Sequence, residues 1–498
     1  MAIDRAANLV ALLGSVCPAI VLMAVYANTA SITIAGEEQN VIFSIQNMLG
    51  GEALYRDPSA FPFIVTQYAP IYYDLCVAIC RWLGLQQDNL RGIYLAGRLI
   101  STAATLGTCL VMAAILARYS GLGRVTRFTL AFLLPVLVGP WACVARPDPL
   151  YLFLVAASLW AAMRYAETLR LRMLVVSAML LLAGFYTKQT ALFLFPLPLG
   201  VRFAREGWSN LKLRDVVACL AVYGAGAVFM TPPMLRNFAV GLGNGIDFSY
   251  ALHDVYVPAI VYRLPLLVAA GLAYRDAARS ADWRPRAIGL ATLWYLIVGA
   301  GLAVKYGSSV NYLDEFLVGC MLIAGMAPCL AAPLGGSRRR GLAVVLLGLI
   351  IAVEAISIYG NRPTLWSAMT SRQELYAGGH ALAADAELRD QFIMVLDTSA
   401  MIFIPERAAF VPVEVLGSSA VSGHFDLAPV TQAVRDGRLC FAVAAPGLVE
   451  RLLSAAPTRD DNPWIREIGK TLLADFHPVR TVGAWVLLAS DACRGRSQ

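Results

Sequence analysis

Long apolar runs separated by short polar turns fill the first 360 residues, and that rhythm predicts the architecture. A membrane-crossing helix needs roughly 20 mostly apolar residues. Runs of this kind fall at 9–27, 92–117, 128–145, 149–163, 173–187, 190–204, 215–232, 257–274, 287–304, 313–333 and 341–359. They predict a polytopic α-helical membrane protein with about eleven transmembrane helices. The first run is long for a signal-peptide core and lacks a small-residue cleavage site, so it reads as a span. A further apolar stretch, Tyr68 to Leu85, contains Pro70, Asp74 and Arg81, and is assigned to the membrane surface. After residue 360 the pattern changes. Apolar stretches shrink to strand length at Phe392–Leu396, Met401–Ile404, Cys440–Ala444 and Ala484–Leu488. Helical patterns lie between them, around Leu427–Val434, Leu448–Ala455 and Trp464–Phe476. That alternation predicts a soluble C-terminal α/β domain over 360–498, following a transmembrane domain over 1–359.

Composition agrees with lipid as the solvent. Of 498 residues 58% are hydrophobic and 15% charged, against about 25% charged in a soluble domain. The formal charge of +7 does not point to nucleic acid, because the basic residues sit in short clusters between apolar runs. Clusters so placed orient a membrane protein. With eleven spans, one side collects 18 basic residues, from Arg5 through Arg118 and Arg202 to Arg338–Arg340. The other side, leaving out the C-terminal domain, has seven: Arg56, Arg81, Arg91, Arg146, Lys188, Arg236 and Lys305. Positive residues stay cytoplasmic, which places the N-terminus inside and the C-terminal domain outside. A twelfth span through 68–85 would put the later arginine clusters across the membrane from Arg5. The ten cysteines show no metal-ligand spacing. Cys440 and Cys493 fall in the exported domain, where an oxidising compartment permits a disulfide.

The candidate chemistry lies on the external face. In the long first loop, 28–91, Glu37 and Glu38 precede Val41, Ile42, Ile45, Met48 and Leu49 at helical spacing. This predicts a helix along the membrane surface with two carboxylates at its positive end. Asp148 sits beside Arg146 in a tight turn between two spans. Lys188 and Gln189 occupy another such turn, and Lys305, Asn311 and Tyr312 a third. Each has a bland reading: an N-cap acid, a capped helix with a salt bridge, a snorkelling lysine. Their recurrence on one face is more informative. Carboxylates serve as a general base toward an acceptor hydroxyl, and cations neutralise a leaving phosphate.

In order and topology these segments resemble the GT-C superfamily of membrane glycosyltransferases, which includes lipid A aminoarabinose transferases and protein O-mannosyltransferases. The acidic pair Glu37-Glu38 is followed by Gly51, Tyr55-Arg56-Asp57 and the aromatic segment Pro70-Ile71-Tyr72-Tyr73. Then come Gly97-Arg98-Leu99, Asp148, Lys188 and Asn311-Tyr312. The resemblance spans nearly the whole chain, although each motif is degenerate. It implies an inverting hexosyl- or pentosyltransferase of a bacterial inner membrane. The donor would be a polyprenyl-phosphate sugar and the acceptor a lipid or an envelope polysaccharide. Glu37 or Glu38 would be the base, with Asp148 holding the acceptor or, together with Glu37, a divalent metal such as Mg or Mn. Substrate-binding candidates are Tyr55, Arg56, Tyr68, Tyr72, Arg146, Lys188, Gln189, Lys305, Asn311 and Tyr312. Two departures stand out. Relatives usually carry Asp as the first-loop acid, and some carry a phosphate-binding Lys just before the aromatic segment's proline, where this chain has Tyr68-Ala69 before Pro70.

A rival reading is a transporter or flippase of a lipid-linked glycan, which would show internal repeats and broken helices near mid-membrane. No repeat is visible in the sequence. A third is an envelope-assembly or sensor protein whose exported domain binds a partner. The topology is directly testable. A reporter fused after Gln498 is expected to respond outside the cytoplasm and one within Arg338–Arg340 inside. A cytoplasmic signal after Gln498 would overturn the eleven-span count.

Overall fold

The computed structural model describes residues 20, 23–24, 34–207, 212–326, 372–453, 463–474 and 476–493. The expected spans at 9–27 and 341–359 therefore lie outside the described residues, apart from positions 20, 23 and 24. Among the described residues four helices are long and apolar enough to cross a membrane: Leu90–Tyr119, Arg124–Ala142, Asp148–Thr168 and Trp283–Ala303. Two bent pairs raise that number to six if each pair is one span. The Leu90–Tyr119 helix starts where the Asn89 side chain accepts from the Gly92 amide at 3.0 Å. Asp148–Thr168 sits at the centre of the bundle, with 72% of its apolar window buried.

Proline explains where the expected spans break. The 215–232 run forms a helix only over Leu213–Ala227, and the chain turns by 100° into Pro232–Leu242, which opens on two prolines. The 257–274 run divides at Tyr262–Arg263, just before the helix Leu264–Arg279 with Pro265 in its first turn, and bends by 76°. The 190–204 run is a tight turn, Gln189–Leu194, followed by a short helix, Leu197–Glu206, with Pro196 at its N-cap and Pro198 in its first turn. Proline lacks the amide that a helix interior needs and clashes with the preceding turn. Leu171–Phe185 is helical, as long as the 173–187 run that predicted it and shifted two residues toward the N-terminus.

The C-terminal α/β unit is built on a five-stranded sheet of β1 (Ile393–Val395), β2 (Ala408–Ala409), β3 (Phe441–Ala444), β4 (Phe476–Val482) and β5 (Trp485–Ser490). The order is β2-β1-β3-β5-β4, parallel over the first three and antiparallel beyond. Met401–Ile404 is not a strand. Asp397 caps a short helix, Thr398–Met401, through the Ser399 amide, and the chain then turns back to β2. Cys440 and Cys493 are joined by a disulfide that ties the start of β3 to the chain after β5.

This unit is docked by backbone as well as side chains. Phe410 N donates to Pro62 O at 2.8 Å, Val411 N to Phe63 O at 3.1 Å, and Val65 N to Val411 O at 3.0 Å. The helix Glu38–Leu49 lies beneath it, with Gln46 donating to Ile402 O at 3.0 Å. Its residues from Glu38 to Ile45 are all buried. The surface-lying helix expected here is thus covered by the C-terminal unit. The Pro70–Trp82 helix buries Tyr72, Tyr73, Cys76 and Cys80 while Trp82 stands 83% exposed.

One ion pair fastens the loop to the bundle. Arg98 Nε and Nη2 lie 3.0 and 2.7 Å from the two Glu38 oxygens, and both side chains are fully buried. Gly97 makes the approach possible, because a Cβ there would sit 3.0 Å from Ala145 Cβ. Removing one partner of a buried pair strands the other charge, at a cost of about 3–5 kcal/mol. Arg98→Ala or Glu38→Ala alone is expected to lower the thermal unfolding temperature in detergent sharply. The paired change Glu38→Leu with Arg98→Met should recover most of it. Single variants as stable as the parent would contradict this anchoring role.

Candidate functional site

The loop, the turns of the bundle and the C-terminal unit meet around a cavity of about 370 Å³. Its lining is half polar, and it holds most of the residues singled out from the sequence: Glu37, Tyr68, Arg146, Lys188, Gln189, Lys305, Asn311 and Tyr312. Gly36, with φ +56°, brings the chain against Arg146 and Trp141, where a Cβ would fall 2.8 Å from each. This turn carries Glu37 into the cavity while Glu38 starts the helix behind it.

The two neighbouring glutamates therefore separate. Glu38 Oε1 accepts from Arg98 Nε and the Ala145 amide at 2.6 Å, and Oε2 from Arg98 Nη2 and the Ile34 amide at 2.7 Å. Every lone pair that matters is taken, and none of the residue reaches the cavity, so Glu38 is a structural anchor and not a candidate base. Glu37 faces the cavity. Its Oε2 accepts from Gln39 Nε2 and lies 3.4 Å from Thr398 Oγ. Its Oε1 takes no hydrogen bond from the described residues. The surrounding chain displaces water from this corner, and that desolvation raises the Glu37 carboxyl above the ordinary glutamate range, against the pull of Arg146.

Asp148 is the hub of the opposite wall. Its Oδ1 accepts from Lys188 Nζ at 2.7 Å and Asn311 Nδ2 at 2.6 Å, and its Oδ2 from Arg146 Nε at 3.2 Å. Arg146 also donates to the Tyr68 hydroxyl, and Lys188 lies 4.5 Å from the centre of the Tyr312 ring. With two cations and an amide on its oxygens, Asp148 does not fit a divalent metal shared with Glu37. Among the described residues no three His, Cys, Asp or Glu side chains are grouped as a metal would need.

Lys305 differs from the other cations. Its Nζ donates to Gly241 O at 2.6 Å, and among the described residues no carboxylate pairs with it. Burial pushes its ammonium below the ordinary lysine value, with the charges of Lys188 and Arg146 acting in the same direction. Its charge is thus held in a positive field with no counter-ion from the described residues.

Three of the expected substrate contacts lie elsewhere. Arg56 pairs with Glu52 at 2.5 Å on the loop. The Tyr55 hydroxyl donates to Tyr68 O at 2.8 Å, packing the loop from behind. The Tyr72 hydroxyl is fully buried against Gly97 O at 2.9 Å and Ser101. None of the three opens onto the cavity. Conversely, Glu414, Ser418 and Trp464 of the C-terminal unit line the cavity, with Asn40, Gln67 and Asn244 from the loops. Nothing in the local sequence around Glu414 marks it, because only the docking of the unit brings it over Glu37.

No protein-family model and no curated protein sequence matches this chain. Solved structures do. ArnT from Cupriavidus metallidurans bound to undecaprenyl phosphate superposes with a TM-score of 0.56 at 14% identity, over 95% of this chain and 97% of that one. AglB, the archaeal oligosaccharyltransferase of Archaeoglobus fulgidus, in complex with an inhibitory peptide and a dolichol-phosphate, gives 0.57 at 8% identity, over 98% of this chain and 75% of that one. The Archaeoglobus fulgidus oligosaccharyltransferase in complex with Zn and sulfate gives 0.54 at 9% identity, over 92% of this chain and 70% of that one. The alignments run over nearly the whole chain, which shares the fold of these proteins.

Proposed function

We propose that this protein is an inverting glycosyltransferase. It moves a sugar from a polyprenyl-phosphate donor to a hydroxyl of a lipid or envelope glycan, on the external face of a bacterial inner membrane. The observation that carries this reading is the polarity of one cavity. A carboxylate with a free oxygen, Glu37 Oε1, opens on one part of it, and an ammonium without a carboxylate partner, Lys305, on another. Its volume of about 370 Å³ suits a sugar phosphate, since small-ligand sites run about 300–1,000 Å³.

In the reaction the acceptor oxygen attacks the anomeric carbon, and the bond from that carbon to the phosphate oxygen breaks with its electron pair. Polyprenyl phosphate leaves, and the acceptor's hydroxyl proton passes to Glu37 Oε1. Lys305 and Arg146 offset the negative charge that grows on the phosphate. Asp148 holds Lys188, Arg146 and Asn311 in place around this cavity, acting as an organiser of cations. An apolar pocket of about 120 Å³ lies at the Val310–Leu313 turn, lined by Ile260, Leu267, Leu296 and Leu317. Asn311 and Tyr312 of that same turn line the polar cavity. An apolar space joined by one turn to a phosphate-binding cavity supports a donor with a lipid tail. The described residues give a divalent metal no ligand set, and no step needs one.

The test is transfer by the purified full-length protein, with a panel of polyprenyl-phosphate sugars as donors and a lipid extract as acceptor. Glu37→Gln is expected to lower kcat by about 100- to 10,000-fold with folding intact. Lys305→Met should raise the KM for donor about tenfold to a hundredfold, the worth of one charged hydrogen bond. Because the Glu37 carboxyl is raised, activity should fall as the pH drops through a value above the ordinary glutamate range. Undiminished transfer by both variants would rule out this site.

A further inference from the structure

Glu414 stands at the start of the helix Val413–Val421 in the C-terminal unit, and it reaches the same corner of the cavity as Glu37. The two acids share one hydroxyl. Thr398 Oγ lies 3.4 Å from Glu37 Oε2 and 3.2 Å from Glu414 Oε1, and it accepts from Gln39 Nε2 at 3.1 Å. No cation among the described residues pairs with either carboxylate. The other Glu414 oxygen, Oε2, is buried with no hydrogen-bond partner among the described residues.

Counting protons decides what this arrangement is. Thr398 has a single hydroxyl proton, so it serves one carboxylate and leaves a bare oxygen–oxygen contact with the other. A charged Glu414 would also leave an unpartnered buried carboxylate oxygen, which is costly. One added proton on Glu414 Oε1 removes the first fault and lessens the second, because a neutral carbonyl oxygen at Oε2 costs less to bury than a charged one. Glu414 then donates to Thr398 Oγ, Thr398 donates to Glu37 Oε2 beside Gln39, and every close contact contains a hydrogen. We infer that Glu414 is a positioning residue of the proposed base: as a neutral acid it orients Glu37 through Thr398, so that the C-terminal unit completes the site. This rests on the reading of Glu37 as the base.

The surrounding charges agree. Burial, with the charge of Glu37 next, pushes the Glu414 carboxyl up to about 8. Asp397 also faces the pair, and its own oxygens accept from Ser399 and from Trp485 Nε1 at 3.1 Å. Arg146 is the cation that acts on Glu37 from the opposite wall. Between the raised range in which Glu37 ionises and about pH 8 the corner carries one negative charge. Above it a second charge appears beside an anionic donor, and the hydrogen-bond chain through Thr398 loses its first link.

Two readouts on the full-length protein test this. In infrared difference spectra at neutral pH, the parent should show a protonated-carboxyl band that Glu414→Gln lacks, and the band should vanish as the pH passes about 8. In transfer assays the parent's kcat/KM for the lipid-phosphate donor should fall about tenfold from about pH 7 to about pH 10, from one added charge nearby. Glu414→Gln should remove the part of that fall that begins near pH 8 and leave only the later loss from Lys305, whose ammonium is also held below the ordinary value. Glu414→Ala should lose kcat, and Gln, which keeps a donor for Thr398, should restore most of it. Identical infrared bands in parent and Glu414→Gln, or parallel pH profiles, would overturn the inference. The infrared result does not depend on activity. A lost band with no transfer from any donor would retire the glycosyltransferase reading and leave the pair standing.

Discussion

The site depends on one buried ion pair. Glu38 and Arg98 place opposite charges where no water reaches, and that is tolerable because they pair through two hydrogen bonds and Glu38 also accepts from the Ala145 and Ile34 amides. Once made, the pair is rigid. It locks the Glu38–Leu49 helix to the Leu90–Tyr119 helix and aligns the Ala145 amide. It also sets the direction in which the preceding residue points. Glu37 is turned into the cavity because Glu38 is held away from it. Two adjacent, chemically identical residues thus divide an anchoring role from a reactive one.

The same economy of charge governs the facing wall. Arg146 and Lys188 bracket Asp148, so a dense set of ionised groups coexists at the end of the bundle without mutual repulsion opening it. Lys305 is left outside this arrangement. Its lack of a carboxylate is a local cost within the folded chain, and a bound phosphate would relieve it. The C-terminal unit contributes to the opposite corner. Its backbone pairing with residues 62–65 and its serine contacts to the Pro232–Leu242 helix leave little freedom to tilt, so Glu414 and Thr398 meet Glu37 at fixed range.

Much of this was legible in the sequence. The apolar runs located the long helices, because a lipid-length stretch of side chains has few other soluble or membrane solutions. The order of Glu37-Glu38, Asp148, Lys188, Lys305 and Asn311-Tyr312 located most of the cavity, since charged residues in short turns between apolar helices have little room to disperse. Less legible were the breaks. Apolar content alone could not separate 190–204 from an intact span, although Pro196 and Pro198 carried the signal. Met401–Ile404 looked like a strand because a short apolar run fits either a strand or a buried turn.

By itself, the sequence determined which segments are apolar enough to need lipid or a core, where proline forbids a continuous helix, and which turns carry charge. Those properties are local, and a linear pattern records them. Only the tertiary structure decided which of two adjacent glutamates is free, that Lys188 is committed to Asp148, that Arg56, Tyr55 and Tyr72 stand behind the cavity wall, and that Glu414 reaches Glu37 across 377 positions of chain. These are questions of partnership. A carboxylate or an ammonium is reactive or inert according to what lies within about 3 Å of it, and residues that far apart in sequence become neighbours only when the sheet docks on the loop.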